Sequence, residues 1–144
     1  MIIRVLAATV AGGIAFFFLG WLIFGLLLAE FMKAHTINYP GLLKEPMPDM
    51  IPLALANLAW AWLIAFIFDY WAGIKTFVGG LKGGALIMFP IILGIDLQFM
   101  AFMNLYQGFT PLIVDVIAST VLGAIAGGVI GLILGLVGKK AEAE

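Results

Sequence analysis

Asp96 is the residue in this chain whose type and position point most directly to chemistry. It is the one acid in an otherwise uncharged stretch from Gly83 to Asn104. If the third apolar segment is helical to Gln107, Asp96 lies eleven residues before its outer end. At ~1.5 Å per residue that is ~16 Å deep, near the midplane of a bilayer. A charge there is costly, and ionisable groups inside a membrane face the bundle interior or a wet cavity. Gln107 falls near the same helical face and Asn104 about 80° away, while Gln98 points elsewhere. Two chemistries fit. Asp96 is the carrier or ligand of a proton or cation site, or it is a neutral acid bonded to Asn57, Ser119 or a carbonyl freed by Pro90, pinning helices together.

Other acids gather toward the same end. Glu30, Glu45, Asp49 and Asp115, with the single histidine His35, form an acidic funnel or a solvated fringe paired with Lys33 and Lys44. A funnel of one sign concentrates cations. Glu30, Asp49 and Asp115 are also the candidate acids of a lipid-modifying enzyme, although no recognisable arrangement joins them. Asp69 stands at the opposite end, with Arg4, Lys75 and Lys82 as ion-pair partners.

Several chemistries are excluded. With no cysteine, the chain forms no disulfide and no thiolate metal site. One histidine does not make a bis-histidine haem or a multi-histidine zinc centre, so no metal or cofactor is expected. There is no nucleophile elbow, phosphate-cradling loop or metalloprotease helix, and an enzyme is not expected. A net charge of −1 points to no nucleic-acid partner.

The elements that must position these residues are long and apolar. The chain is 65% hydrophobic and 10% charged, with a mean hydropathy of +1.21. An ordinary soluble domain is roughly 45–50% apolar and 25% charged. Twenty-five uncharged residues separate Arg4 from Glu30, and nineteen separate Asp49 from Asp69. A hydrocarbon core about 30 Å thick is crossed by ~20 such residues as helix. The first run is too long for the core of a signal peptide and should stay as a membrane anchor. The pattern predicts one all-α domain, a four-helix transmembrane bundle running up-down-up-down. Its spans cover about 3–33, 50–72, 77–107 and 111–138, with an outer loop at 34–49 and the third helix kinked at Pro90.

Local signals mark the ends. Asp49 and Thr110 read as N-caps, with Pro52 and Pro111 in the first turns that follow. Thr76 reads as a cap for the third helix and Gly73 as a stop for the second. In the fourth span, Asp115, Ser119, Gly123, Gly127, Gly131 and Gly135 recur at every fourth residue and share one ridge. Such a seam lets a second backbone approach closely, within the chain or between copies. The second span carries a comparable ridge, Asn57, Ala61, Ala65, Asp69 and Gly73. Two seams in one small bundle invite oligomerisation or another membrane subunit, and which of them is internal stays open.

Arg4, Lys75, Lys82, Lys139 and Lys140 lie on one side, against Lys33 and Lys44 on the other. The positive-inside rule places both termini in the cytoplasm. The segment Asn104-Leu105-Tyr106-Gln107-Gly108 before a glycine-rich last helix, with Phe18-Leu19-Gly20-Trp21 and Gly25 early on, resembles small four-span bacterial membrane proteins of the domain-of-unknown-function type. The resemblance implies a multi-pass protein of the bacterial inner membrane and carries no activity with it. Two functions are therefore expected side by side. One is a proton- or cation-handling transport or channel module centred on Asp96. The other is an oligomerising accessory or scaffold subunit using the glycine seams.

Overall fold

In hydrocarbon no water satisfies the backbone, so each apolar run must bond within itself, and helix is the single-segment solution. The computed structural model describes the backbone of residues 2–142 and the side chains of residues 2–138, and its regular elements are all helical. They are α1 (Ile2–Gly20), a π-helical continuation Trp21–Leu27, α2 (Ala29–His35), α3 (Met50–Phe66) with a π-helical end Ile67–Ala72, α4 (Phe77–Phe102) and α5 (Phe109–Glu142). Four stretches are long and apolar enough to cross a membrane: Ile2–Leu27, Met50–Ala72, Phe77–Phe102 and Phe109–Gly138. The side chains of Lys139 and Lys140, and residues Ala143 and Glu144 of the expected frayed tail, lie outside this description, whereas Ala141 and Glu142 are still helical.

Three boundaries differ from those the sequence predicts. The first span is not one helix over 3–33. It loosens at Trp21, where the Leu28 amide reaches back five residues to the Ile23 carbonyl at 2.8 Å, and α2 starts beyond Leu28. The third span ends at Phe102 rather than 107, because residues 103–108 leave the helix to pair with the end of α2. Thr36 and Tyr106 form an antiparallel bridge. Around it the Ile37 amide donates to the Leu105 carbonyl at 2.7 Å, and the Gln107 amide donates to the His35 carbonyl at 2.9 Å. Each segment thus satisfies backbone groups that the other would leave bare. The fourth span starts at Phe109, so Thr110 lies inside its first turn rather than capping it. Gly108, at φ 88°, turns the chain into it, a conformation only glycine adopts without cost.

The other end signals hold unevenly. Thr76 Oγ1 accepts from the Gly79 amide at 3.1 Å, and Gly73 closes its helix in the left-handed conformation. Asp49 occupies the cap position of α3, yet its carboxylate takes Lys44 Nζ at 2.7 Å instead of a helix amide. Pro90 sits inside α4, which is helical on both sides of it.

Sequential spans are antiparallel, and α5 is the central post, packed by α4 and by α1, with α3 touching it more lightly. Glycines set the α4–α5 approach. A Cβ on Gly80 would land on the Gly127 carbonyl, and one on Gly84 on the Gly123 carbonyl. A Cβ on Gly131 would stand 2.5 Å from the Thr76 carbonyl oxygen. The ridge of α5 is therefore filled within the chain by α4. The α3 ridge is internal too: Ala61 and Ala65 are fully buried, and a Cβ on Gly12 of α1 would meet Ala61 at 3.1 Å. Around these seams Ile64, Phe68, Ile130 and Leu134 form the core. Large apolar side chains such as Ile3, Leu86 and Phe102 point outward. That much apolar exterior suits lipid and not water.

Candidate functional site

Two facing ridges position the site. On α5, Asp115 and Ser119 continue the glycine ridge outward by steps of four. On α4, Gly80, Gly84, Met88, Ile92 and Asp96 make a ridge with the same step. The antiparallel register that seats Gly84 against Gly123 in one half of the seam carries Asp96 to Asp115 in the half nearer the 103–108 connection. Small residues close the seam on one side, and polar ones occupy it on the other.

Tyr106 joins the two acids. Its hydroxyl lies 3.1 Å from Asp96 Oδ1 and 3.5 Å from Asp115 Oδ2. Ser119 Oγ donates to Asp115 Oδ1 at 3.2 Å. The bridge to Thr36 holds the Tyr106 backbone, and Tyr39 braces the same connection by donating its hydroxyl to the Asn104 carbonyl at 3.1 Å. Burial, then the Asp96 and Asp115 carboxylates, push the Tyr106 hydroxyl above its ordinary range, so it stays a neutral donor and acceptor.

Asp96 is 3% exposed, and its Oδ2 is buried without a hydrogen-bond partner. An open acceptor in such a place is costly unless something occupies it. Asp96 stands six residues before the end of α4 at Phe102, or ~9 Å below it. The midplane position predicted from a helix reaching Gln107 is thereby corrected to the part of the span nearest its Phe102 end.

The other polar residues of the sequence do not join this cluster. Asn57 bonds its own helix, Nδ2 to the Leu53 carbonyl at 2.9 Å, and lines a separate hollow of about 600 Å³ with Phe16, Trp21, Phe24 and Met50. Asn104 and Gln107 are exposed and enter through their backbones alone. The outer acids are dispersed: Glu30 is exposed, Asp49 is held by Lys44, and His35 gives Nδ1 to the Phe31 carbonyl at 2.8 Å while stacking on that ring. Among the described residues no three His, Cys, Asp or Glu side chains gather as a metal site. At the opposite end Arg4 Nε lies 2.8 Å from Asp69 Oδ1 and 3.0 Å from Oδ2, with the Asp69 side chain fully buried.

A vestibule of about 550 Å³ opens at the end that carries the 34–49 loop, lined by Phe24, Met32, Lys33, Thr36, Glu45 and Tyr106, among others. Tyr106 is the residue that sequence reasoning did not place in the site. Its one signal is position: a tyrosine in the short connection between two helices that each carry an acid about two turns from that connection. No protein-family model matches the chain, and no curated protein or solved structure is similar to it.

Proposed function

We propose that this is a small multi-pass transport module of the bacterial inner membrane, which binds a proton or a small cation at the Asp96–Tyr106–Asp115–Ser119 cluster. Asp96 supports this reading most directly: a carboxylate 97% buried inside an apolar bundle, with one oxygen unpartnered and a second carboxylate sharing its tyrosine. Two acids bridged by one hydroxyl in a low-dielectric site hold positive charge between them more readily than they hold two negative charges. The vestibule beside Tyr106 supplies an approach from the end that carries the 34–49 loop. Arg4, Lys75 and Lys82 at the other end support a cytoplasmic location for both termini.

The test is flux in proteoliposomes carrying an internal pH dye, with and without sodium or potassium gradients. The parent chain moves protons or cations, and Asp96→Asn, which keeps the shape and the bond from Tyr106, folds normally and loses at least tenfold of the flux. Equal flux in parent and variant, or none in either, removes the proposal.

A further inference from the structure

The cluster and the vestibule share one side chain. Tyr106 lines the outer hollow, and its hydroxyl bonds the carboxylates; neither Asp96 nor Asp115 lines that hollow. Ser119 is the other side chain bonded to the pair, and it approaches along α5, away from the vestibule. Of the side chains bonded to the pair, Tyr106 is the one that also lines the vestibule. From the pair toward the opposite end, α4 and α5 meet backbone on backbone: Gly84 against Gly123, Gly80 against Gly127, and Gly131 against the Thr76 carbonyl.

We propose that Tyr106 is a proton relay connecting the outer vestibule to the Asp96–Asp115 pair, and that the pair exchanges protons, not metal cations, with that side alone. The inference rests on the functional reading above and narrows its ligand. The cluster's two carboxylates and two hydroxyls reach six oxygens, the least that an alkaline-earth ion takes, only if both carboxylates are bidentate to one point, and no third acid or histidine joins them among the described residues. A proton needs one acceptor, and the Tyr106 hydroxyl already points at Asp96 Oδ1, 3.1 Å away, while Oδ2 of the same carboxyl is buried without a partner. A hydroxyl donates and accepts at once, which is what passing a proton through a wall requires.

The step balances without any further reactant. The Tyr106 O–H bond breaks as its proton moves to the Asp96 carboxylate. The same oxygen takes a proton from a hydronium ion in the vestibule, which leaves as water. Asp96 ends neutral and Tyr106 is unchanged. The two transfers go together because burial and the flanking carboxylates disfavour a tyrosinate. The charged and titratable groups around the path are Asp115 on α5, Lys33 and Glu45 at the vestibule wall, and His35, whose Nδ1 is taken by the Phe31 carbonyl.

The experiment follows the infrared carbonyl band of a protonated carboxyl in the full chain in lipid nanodiscs, assigned by its loss in Asp96→Asn. On transfer from water to deuterium oxide the parent band shifts promptly. In Tyr106→Phe the band persists and shifts at least tenfold more slowly, and saturating sodium, potassium or calcium leaves it in place in both. An equally fast shift in Tyr106→Phe overturns the relay, and displacement of the band by any of these cations overturns the choice of proton. If Tyr106→Phe fails to fold, Lys33→Cys serves, because the chain has no cysteine of its own. Labelling it with a bulky maleimide closes the vestibule and slows the shift at least tenfold, and an unchanged rate overturns the outer route. A parent without any Asp96-dependent band overturns the relay and the site together. A slowed band in a chain that carries no flux supports the relay and removes only the transport reading.

Discussion

At the residue scale, the two buried acids of the helices differ: Asp96 keeps an unpartnered oxygen, whereas Asp69 has its desolvation offset by a cation. In the Arg4–Asp69 pair the acid side chain is buried completely, and the guanidinium lies within 3.0 Å of both of its oxygens. Removing one member of such a pair strands the other, whereas replacing both with apolar groups is close to neutral. Arg4→Ala should lower stability by about 3 kcal/mol, the lower end for buried pairs, since the arginine keeps some exposure. Arg4→Met combined with Asp69→Leu should stay within about 1 kcal/mol of the parent. Denaturant titration in detergent micelles measures both. A single substitution as mild as the double one would show that water, not arginine, solvates Asp69. Lys44 and Asp49 are the contrast, an exposed pair at 2.7 Å that contributes little in high dielectric.

At the element scale, the α4–α5 seam decides where the site is. The interhelical distance is set by glycines, because lipid tails give helices no hydrophobic reason to associate and close van der Waals packing must supply it. Gly84→Ala places a methyl on the Gly123 carbonyl and should cost about 1–3 kcal/mol through forced separation. Gly94→Ala is on the same helix with nothing within 4 Å of the added carbon. It should be neutral or stabilise by about 0.5–1 kcal/mol through helix propensity. Unfolding midpoints of the two variants in the same detergent test this, and equal effects would mean that the seam does not set the spacing. Because the seam also holds the register of Asp96 against Asp115, Gly84→Ala should disturb the carboxyl pair although it lies three helical turns away.

At the scale of the whole molecule, the two ends of the bundle differ. The end that holds Arg4 has the glycine contacts and the Arg4–Asp69 pair; the end that holds the 34–49 loop has the strap from α2, the Thr36–Tyr106 bridge and the vestibule. Gly123, Gly127 and Gly131 of α5 are occupied within the chain by α4 and its Thr76 cap. Orientation has a direct check. Single cysteines at Asn38 and at Lys82, in an otherwise cysteine-free chain, should react with an impermeant maleimide from opposite faces of intact cells. Asn38 is then the one labelled from outside. Labelling of Lys82→Cys from outside instead would invert the topology and put the vestibule in the cytoplasm.

The sequence by itself determined the solvent, the helix class and the number of spans. Runs of nineteen and twenty-five uncharged residues leave no other way to satisfy a backbone in hydrocarbon. It also singled out Asp96, Asp115 and Ser119, because polar groups stand out against an apolar background. It did not determine which residues meet. The steps of four on α5 and α3 marked both as packing ridges, but a ridge carries no label for its partner, and only the assembled bundle shows α4 on one and α1 on the other. The end of α4 was equally hidden: residues 103–107 contain no proline or glycine to stop a helix, and they leave it because the end of α2 and the chain after it offer backbone partners from about seventy residues away. That non-local pairing moved Asp96 outward from the midplane and brought Tyr106 to the acids, and no local propensity encodes it.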